Sequence, residues 1–313
     1  MDGINAGSGA VPAAQKPQRK KRYKNRNWAW GLGMVAPTII GLIILNIYPF
    51  FYTIYLSTMK FQGLGKPKYI GFQNFSKMLS DAMTWNALRN TLLFVLFTVP
   101  VGVFLSLIFA ALLNSKIRGR DTYRAIYFLP MVVAPAAVAM VWKWILNSDI
   151  GILNQFLGLF GIKGPTWISD PKTALISCAI INIWSAIGYD LVLILAGLQS
   201  ISKTYYEAAE IDGASPVQSF FHITVPLISP TLFFVVLMRT MTSLKQFDTV
   251  YLLVKADNPA YKSTATLMTL FYREAFEKFN KGYASAIVLF SFVLISIFTV
   301  IQLIAEKKLV HYE

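Results

Sequence analysis

Six stretches of this sequence are apolar for roughly 20 residues or more, and a chain with such stretches has few folds open to it. They fall at residues 31–57, 90–114, 123–147, 173–200, 225–254 and 283–305. In hydrocarbon every backbone N–H and C=O must be paired within the chain, so each stretch is expected to be a helix. The expected fold class is an all-α integral membrane protein with six transmembrane helices. Of the 313 residues, 55% are hydrophobic and 14% charged, against about 25% charged in a soluble domain.

The formal net charge is +14, but much of it flanks apolar runs, where Lys and Arg set orientation and meet anionic lipid. No pattern of interleaved basic and aromatic residues points to nucleic acid. The single cysteine, Cys178, lies inside an apolar run and reads as a small buried residue. The two histidines, His222 and His311, are far apart, so no metal site is expected.

Residues 1–15 are small and polar, and Lys16 to Arg26 contains seven Lys or Arg. The apolar run that follows is too long for a signal peptide and has no small-residue cleavage site. The basic stretch is expected to stay in the cytoplasm. Six spans then return the C-terminus, with Lys307 and Lys308, to the same side, as they do the loop bearing Lys116, Arg118, Arg120 and Arg124. On the outside, Phe72, Phe75, Leu79, Met83 and Leu88, and likewise Ile150, Leu153, Phe156 and Phe160, recur at near-helical spacing and suit surface helices. Pro37, Pro49, Pro100, Pro130, Pro135 and Pro230 fall within spans. They read either as bends that let bundles rock or as the ordinary proline content of membrane helices.

The loop after the fourth span carries a local code. Thr204 with Glu207 forms a capping-box pattern that starts a short helix, and Gly213 ends it. Ser215, Pro216 and Gln218 give an N-cap, a first-turn proline and a second capping box. The spacing predicts two short helices joined by a glycine turn. Ala208 and Ala209 would let a partner backbone approach, and Glu207, Glu210 and Asp212 suit a partner carrying Arg or Lys.

The same loop resembles the EAA loop of ABC importer permeases: Glu207-Ala208-Ala209, Gly213, Ile223 and Pro226 stand at that family's spacing, with Val225 in place of its leucine. Residues 30–305 resemble the carbohydrate branch, the first permease of maltose-type and glycerol-phosphate-type systems. The resemblance rests on Tyr69-Ile70-Gly71-Phe72-Gln73-Asn74-Phe75, on Phe128-Leu129-Pro130 and Trp142-Lys143-Trp144, and on Phe247-Asp248-Thr249-Val250-Tyr251. The family often has Gly-Gly-Pro after the fifth span, where this chain has Asp257-Asn258-Pro259, and the large outer insertion of the maltose-type subunit is absent.

The resemblance implies a type I ABC importer permease architecture in a bacterial cytoplasmic (inner) membrane. It implies a basic tail over residues 1–29, a permease domain over 30–305 with its coupling loop at 201–226, and a tail over 306–313. It implies that Glu207, Ala208, Ala209, Asp212, Gly213, Ala214, Ile223 and Pro226 couple to an ATPase. The implied partners are a second permease, two ATP-binding subunits that hold ATP and Mg, a solute-binding protein and a carbohydrate substrate. No P-loop, nucleophile elbow or His-Glu-x-x-His pattern occurs, so no enzyme activity and no cofactor are expected in this chain.

Charges inside spans cost roughly 2.5–3.5 kcal/mol each at a helix centre, and therefore ask for a role. Asp190 and Arg239 fall near mid-span and read equally as pathway residues or packing partners. Lys245 and Asp248, three apart on one face, are expected to pair with each other rather than to line the pathway, the alternative reading. A sugar site needs aromatic faces and amides or acids, which Asn182, Trp184, Tyr189 and Asp190 offer in the fourth span and Gln246 and Phe247 in the fifth. Trp142 and Trp144 read as interfacial aromatics. An ion-coupled secondary transporter using Asp190, and a scaffold with no transport, remain the alternatives.

Overall fold

The computed structural model describes residues 27–63, 65–115 and 118–310. The polar N-terminal residues, the basic stretch Lys16–Arg26, Lys116 and His311 lie outside the described residues. Residues up to Phe51 and residues from Tyr52 onward form two compact units. The first unit is helical: α1 (Asn27–Leu42) passes into a single widened turn at Ile43–Ile47 and then into the start of α2 (Tyr48–Ser57). Pro49, which has no N–H to donate, comes just after that turn, where an i→i+5 bond from Tyr48 to the Ile43 carbonyl replaces the usual ladder.

In the second unit, a two-residue antiparallel ladder pairs Met59 with Tyr69 and Lys60 with Lys68. Asn74, buried at the start of α3 (Gln73–Ser80), donates to the carbonyls of Ser57 and Met59 at 2.8 and 2.9 Å. The expected amphipathic segment is therefore two elements. Asp81 caps α4 (Ala82–Asn114) by accepting from the Met83 N–H at 2.9 Å. The second span begins eight residues before the expected Asn90 because this cap starts the helix early.

Next come α5 (Arg120–Val132), α6 (Pro135–Ile145), α7 (Ile152–Leu159) and α8 (Ala174–Ser200). The expected segment from Ile150 to Phe160 contains α7. After α8 the chain forms α9 (Lys203–Ile211), α10 (Pro216–Ser219), one widened turn at Phe220–Thr224, α11 (Val225–Leu227) and α12 (Ser229–Leu244). It closes with α13 (Asp248–Leu253), α14 (Tyr261–Thr264), α15 (Leu267–Tyr272) and α16 (Lys281–Leu309).

Four helical segments are each long and apolar enough to cross a bilayer, and two bent pairs qualify when each is joined. Counting each bent pair as one span gives six. One pair, α5 with α6, bends by 101° between Val132 and Pro135; the other bends by 67° between Leu227 and Ser229. Pro135 and Pro230 sit in the first turn of the new helix, where a missing N–H costs nothing. Pro100, by contrast, lies inside the unbroken α4. The fifth span also ends early, at Leu244 rather than Val254, and the chain turns before resuming as α13.

The core is built on α4 and α8, which run parallel. At one end Phe94 packs with Ala174, Cys178, Ala179 and Ile181; at the other Ala110 and Leu113 pack with Leu191, Ile194, Leu195 and Leu198. Cys178 is fully buried there. Between α4 and α12, Thr98 and Ser243 share a hydroxyl–hydroxyl bond of 2.9 Å beside Val95, Val99 and Leu244. Tyr283 of α16 donates to Asp81 at 2.8 Å, tying the last span to the α4 cap.

Candidate functional site

Two features lie on α8 and α12: a cavity along their length and a loop at their shared end. The cavity has a volume of about 460 Å³ and is walled by the bend of α5 and α6, by α8 and by the α12–α13 break. Asn182, Tyr189 and Asp190 line it from α8, with Gln246 from the break. Asn182 Nδ2 donates to Gln246 Oε1 at 2.8 Å across the cavity wall. The Gln246 carbonyl in turn accepts from Thr266 Oγ1 at 2.8 Å, which fixes the break in place.

Asp190 and Arg239 settle against one another. Arg239 Nη1 lies 3.5 Å from Asp190 Oδ2, with side chains 3% and 5% exposed. Arg239 Nε and Nη2 and Asp190 Oδ2 have no hydrogen-bond partner. Gly102 of α4 makes room for the guanidinium: a Cβ there would stand 2.9 Å from Nη2. The pair is therefore loose, buried and enclosed. Both partners also line the cavity, so packing partner and cavity wall are the same pair of residues.

Trp184 and Phe247 do not join the cavity. Trp184 is two residues from Asn182, about 200° round the helix, and its ring meets Trp142 edge-on at 5.5 Å. That contact also draws Trp142 into the packed region, while Trp144 is half exposed. Phe247 stacks on Tyr251 at 4.9 Å and tilts against Tyr272 at 4.9 Å. The expected Lys245–Asp248 pair does not form: among the described residues no ion pair joins them, because α12 ends at Leu244 and α13 starts at Asp248. Asp248 lines the cavity instead. Ser185 also lines it without having been expected, although Asn182, Ser185 and Tyr189 fall at i, i+3 and i+7 on one helical face.

The loop from 201 to 226 is two short helices joined by a glycine turn. Gly213 has φ +76°, the left-handed region, and the Ala214 N–H reaches back to the Ala209 carbonyl at 2.9 Å. The second capping box is complete: Ser215 N–H donates to Gln218 Oε1 at 2.8 Å and Gln218 N–H to Ser215 Oγ at 3.3 Å. The first differs from expectation. Ser202, not Thr204, is the N-cap, accepting from the Thr204 N–H at 3.4 Å, because α9 begins at Lys203.

Tyr206 and Thr224 join the two halves through their hydroxyls at 2.9 Å. Glu207, Ala208, Glu210, Asp212 and Gly213 are exposed, and Ile211, Val217 and Phe221 are 87%, 66% and 62% exposed. Ala209 is buried, so of the two alanines only Ala208 offers a surface for close approach. Ala214 and Ile223 are half-buried, and Pro226 stands in the first turn of α11.

Comparison with known proteins places these features in context. Residues 102–311 match the family described as binding-protein-dependent transport system inner membrane component. The chain is 32% identical over 298 residues to the probable ABC transporter permease protein YesP of Bacillus subtilis, covering 94% of this chain and 96% of that one. It is 30% identical over 283 residues to the trehalose/maltose transport system permease protein MalF of Thermococcus litoralis, covering 90% and 95%. In fold it superposes with TM-score 0.81 on a bacterial alginate ABC transporter solved with an alginate pentasaccharide-bound periplasmic protein, at 24% identity over 90% of this chain and 95% of that one.

Proposed function

Since this chain belongs to the binding-protein-dependent transport system inner membrane component family, we propose that it is the sugar-conducting permease subunit of an ATP-driven importer. It is a multi-pass inner membrane protein and a translocation component. The observation that carries the finer reading is continuity. The loop with the EAA spacing connects α8 directly to the α11–α12 arm, and α8 and α12 wall the cavity that holds Asn182, Asp190 and Gln246. A pull on the loop therefore acts on two walls at once.

In this reading Glu207, Ala208, Asp212 and Gly213 meet a separate ATPase that holds ATP and Mg, and this chain hydrolyses none. A second permease completes the pathway, two ATPase subunits dock on the two loops, and a solute-binding protein delivers the cargo. Both termini and the loop face the cytoplasm. Asn182, Tyr189, Asp190 and Gln246 contact a sugar or oligosaccharide, in keeping with the trehalose/maltose role in the name of one relative. Asp190, already paired with Arg239, is a poor site for an ion-coupled mechanism.

The test is purification of the tagged chain from its native membrane in gentle detergent with an ATPase assay. The intact chain is expected to bring ATPase with it, and Gly213→Pro or Glu207→Lys to lose it. Intact chain without ATPase would defeat the reading. For the cavity, Asn182→Ala is expected to weaken uptake of the cognate sugar while ATPase still co-purifies; unchanged uptake removes Asn182 from the site.

A further inference from the structure

A second cavity, of about 440 Å³, lies between α4 and α8 at the end away from the coupling loop, and the transport reading above does not use it. Its rim is basic and polar, with Arg89 on α4, Lys172 just before α8 and Lys262 in α14. Its floor is apolar, with Leu93 and Phe97 on α4 and Ile176 on α8. Phe97 is eight residues along the helix from Arg89, so the lining changes from charge to hydrocarbon over about 12 Å.

No acidic side chain lines the cavity, and among the described residues no ion pair engages its three cations. Asp170, the carboxylate nearest in sequence to Lys172, is turned to accept from the Lys172 backbone N–H at 2.9 Å. The start of α8 adds the positive end of its dipole. The wall is fixed: buried Asn90 donates to the carbonyls of Lys262 and Ala265, both at 3.0 Å.

A ligand matching this lining carries an anion at one end and hydrocarbon at the other. A neutral sugar would leave the cations unanswered, and an acidic sugar or free phosphate would leave the apolar floor uncovered. We propose that the cavity holds an anionic phospholipid. Its phosphate sits among Arg89, Lys172 and Lys262, and one acyl chain lies along Leu93, Phe97 and Ile176.

The full chain, purified with the subunits that accompany it, tests this by native mass spectrometry. It is exchanged into micelles carrying phosphatidylglycerol, phosphatidylcholine, or inorganic phosphate without lipid. Phosphatidylglycerol is expected to stay bound and phosphatidylcholine to wash out. Each of Arg89→Gln, Lys172→Gln and Lys262→Gln should lower retention about fivefold, as expected for one cation beside an anionic lipid. Phe97→Gln should lower it too, since the acyl chain loses its floor. Equal retention of both lipids, equal retention by the variants, or displacement of phosphatidylglycerol by inorganic phosphate overturns the proposal. Unchanged thermal unfolding of the exposed-site variant Lys172→Gln separates loss of lipid from loss of fold.

Discussion

Within the coupling loop the bonds join near neighbours: Ser202 to Thr204, Ser215 to Gln218, and at most Tyr206 to Thr224, eighteen residues on. Across the cavity they join distant ones, with Asn182 bonded to Gln246 over 64 positions and Arg239 of α12 set against Asp190 of α8. Both regions sit on α8 and α12, yet the first is held by its own segment and the second by the whole bundle. A locally bonded knob keeps its shape when it is pushed. A cavity closed by long-range pairs changes whenever the helices shift.

The sharpest way to break that comparison is at the buried ion pair. Arg239→Met alone leaves Asp190 buried without its partner, and it is expected to cost about 3–5 kcal/mol, read as a lower unfolding temperature of the purified complex. Adding Asp190→Leu should restore most of the loss; no recovery would show that the pair is not what Arg239 contributes. Next in size is Gly188→Val, whose new side chain would run into the Tyr127 carbonyl on α5. The cost of such overpacking is about 1–3 kcal/mol, again in the same melt. Ser215→Ala is the smallest change, about 1 kcal/mol of one cap. It should leave the melt unmoved and speed hydrogen exchange at Gln218 about fivefold. A global shift from Ser215→Ala would mean that the loop is not a self-contained unit.

The same contrast decided what could be read from the chain alone. The caps of the loop are side chains bonding to backbone three residues away, so Gly213, Ser215 and Gln218 announce themselves. Even there Ser202 displaced Thr204, since either hydroxyl can cap and the backbone picks the register. The spans followed from apolar length. Their breaks did not: Pro135 and Pro230 mark the start of a helix in the structure, whereas Pro100 marks nothing, and no local pattern tells them apart. The Asp190–Arg239 pair joins two helices: each charge is visible in the sequence and pairing is one of two readings, but only the fold chooses between them. Trp184 and Phe247 have the aromatic faces a sugar site needs, but the helical angle and the α12–α13 break direct them away from this cavity.

The bond from Asn182 to Gln246 has a further consequence. Within the protein these two amides already bond to each other. A hydroxyl entering between them must break that bond before it can accept from Asn182 and donate to Gln246, and the net gain of bonds made this way is far smaller than their gross strength. If the cavity conducts sugar as proposed, the passenger competes at this wall with a bond the protein already makes to itself, which weakens the hold on it.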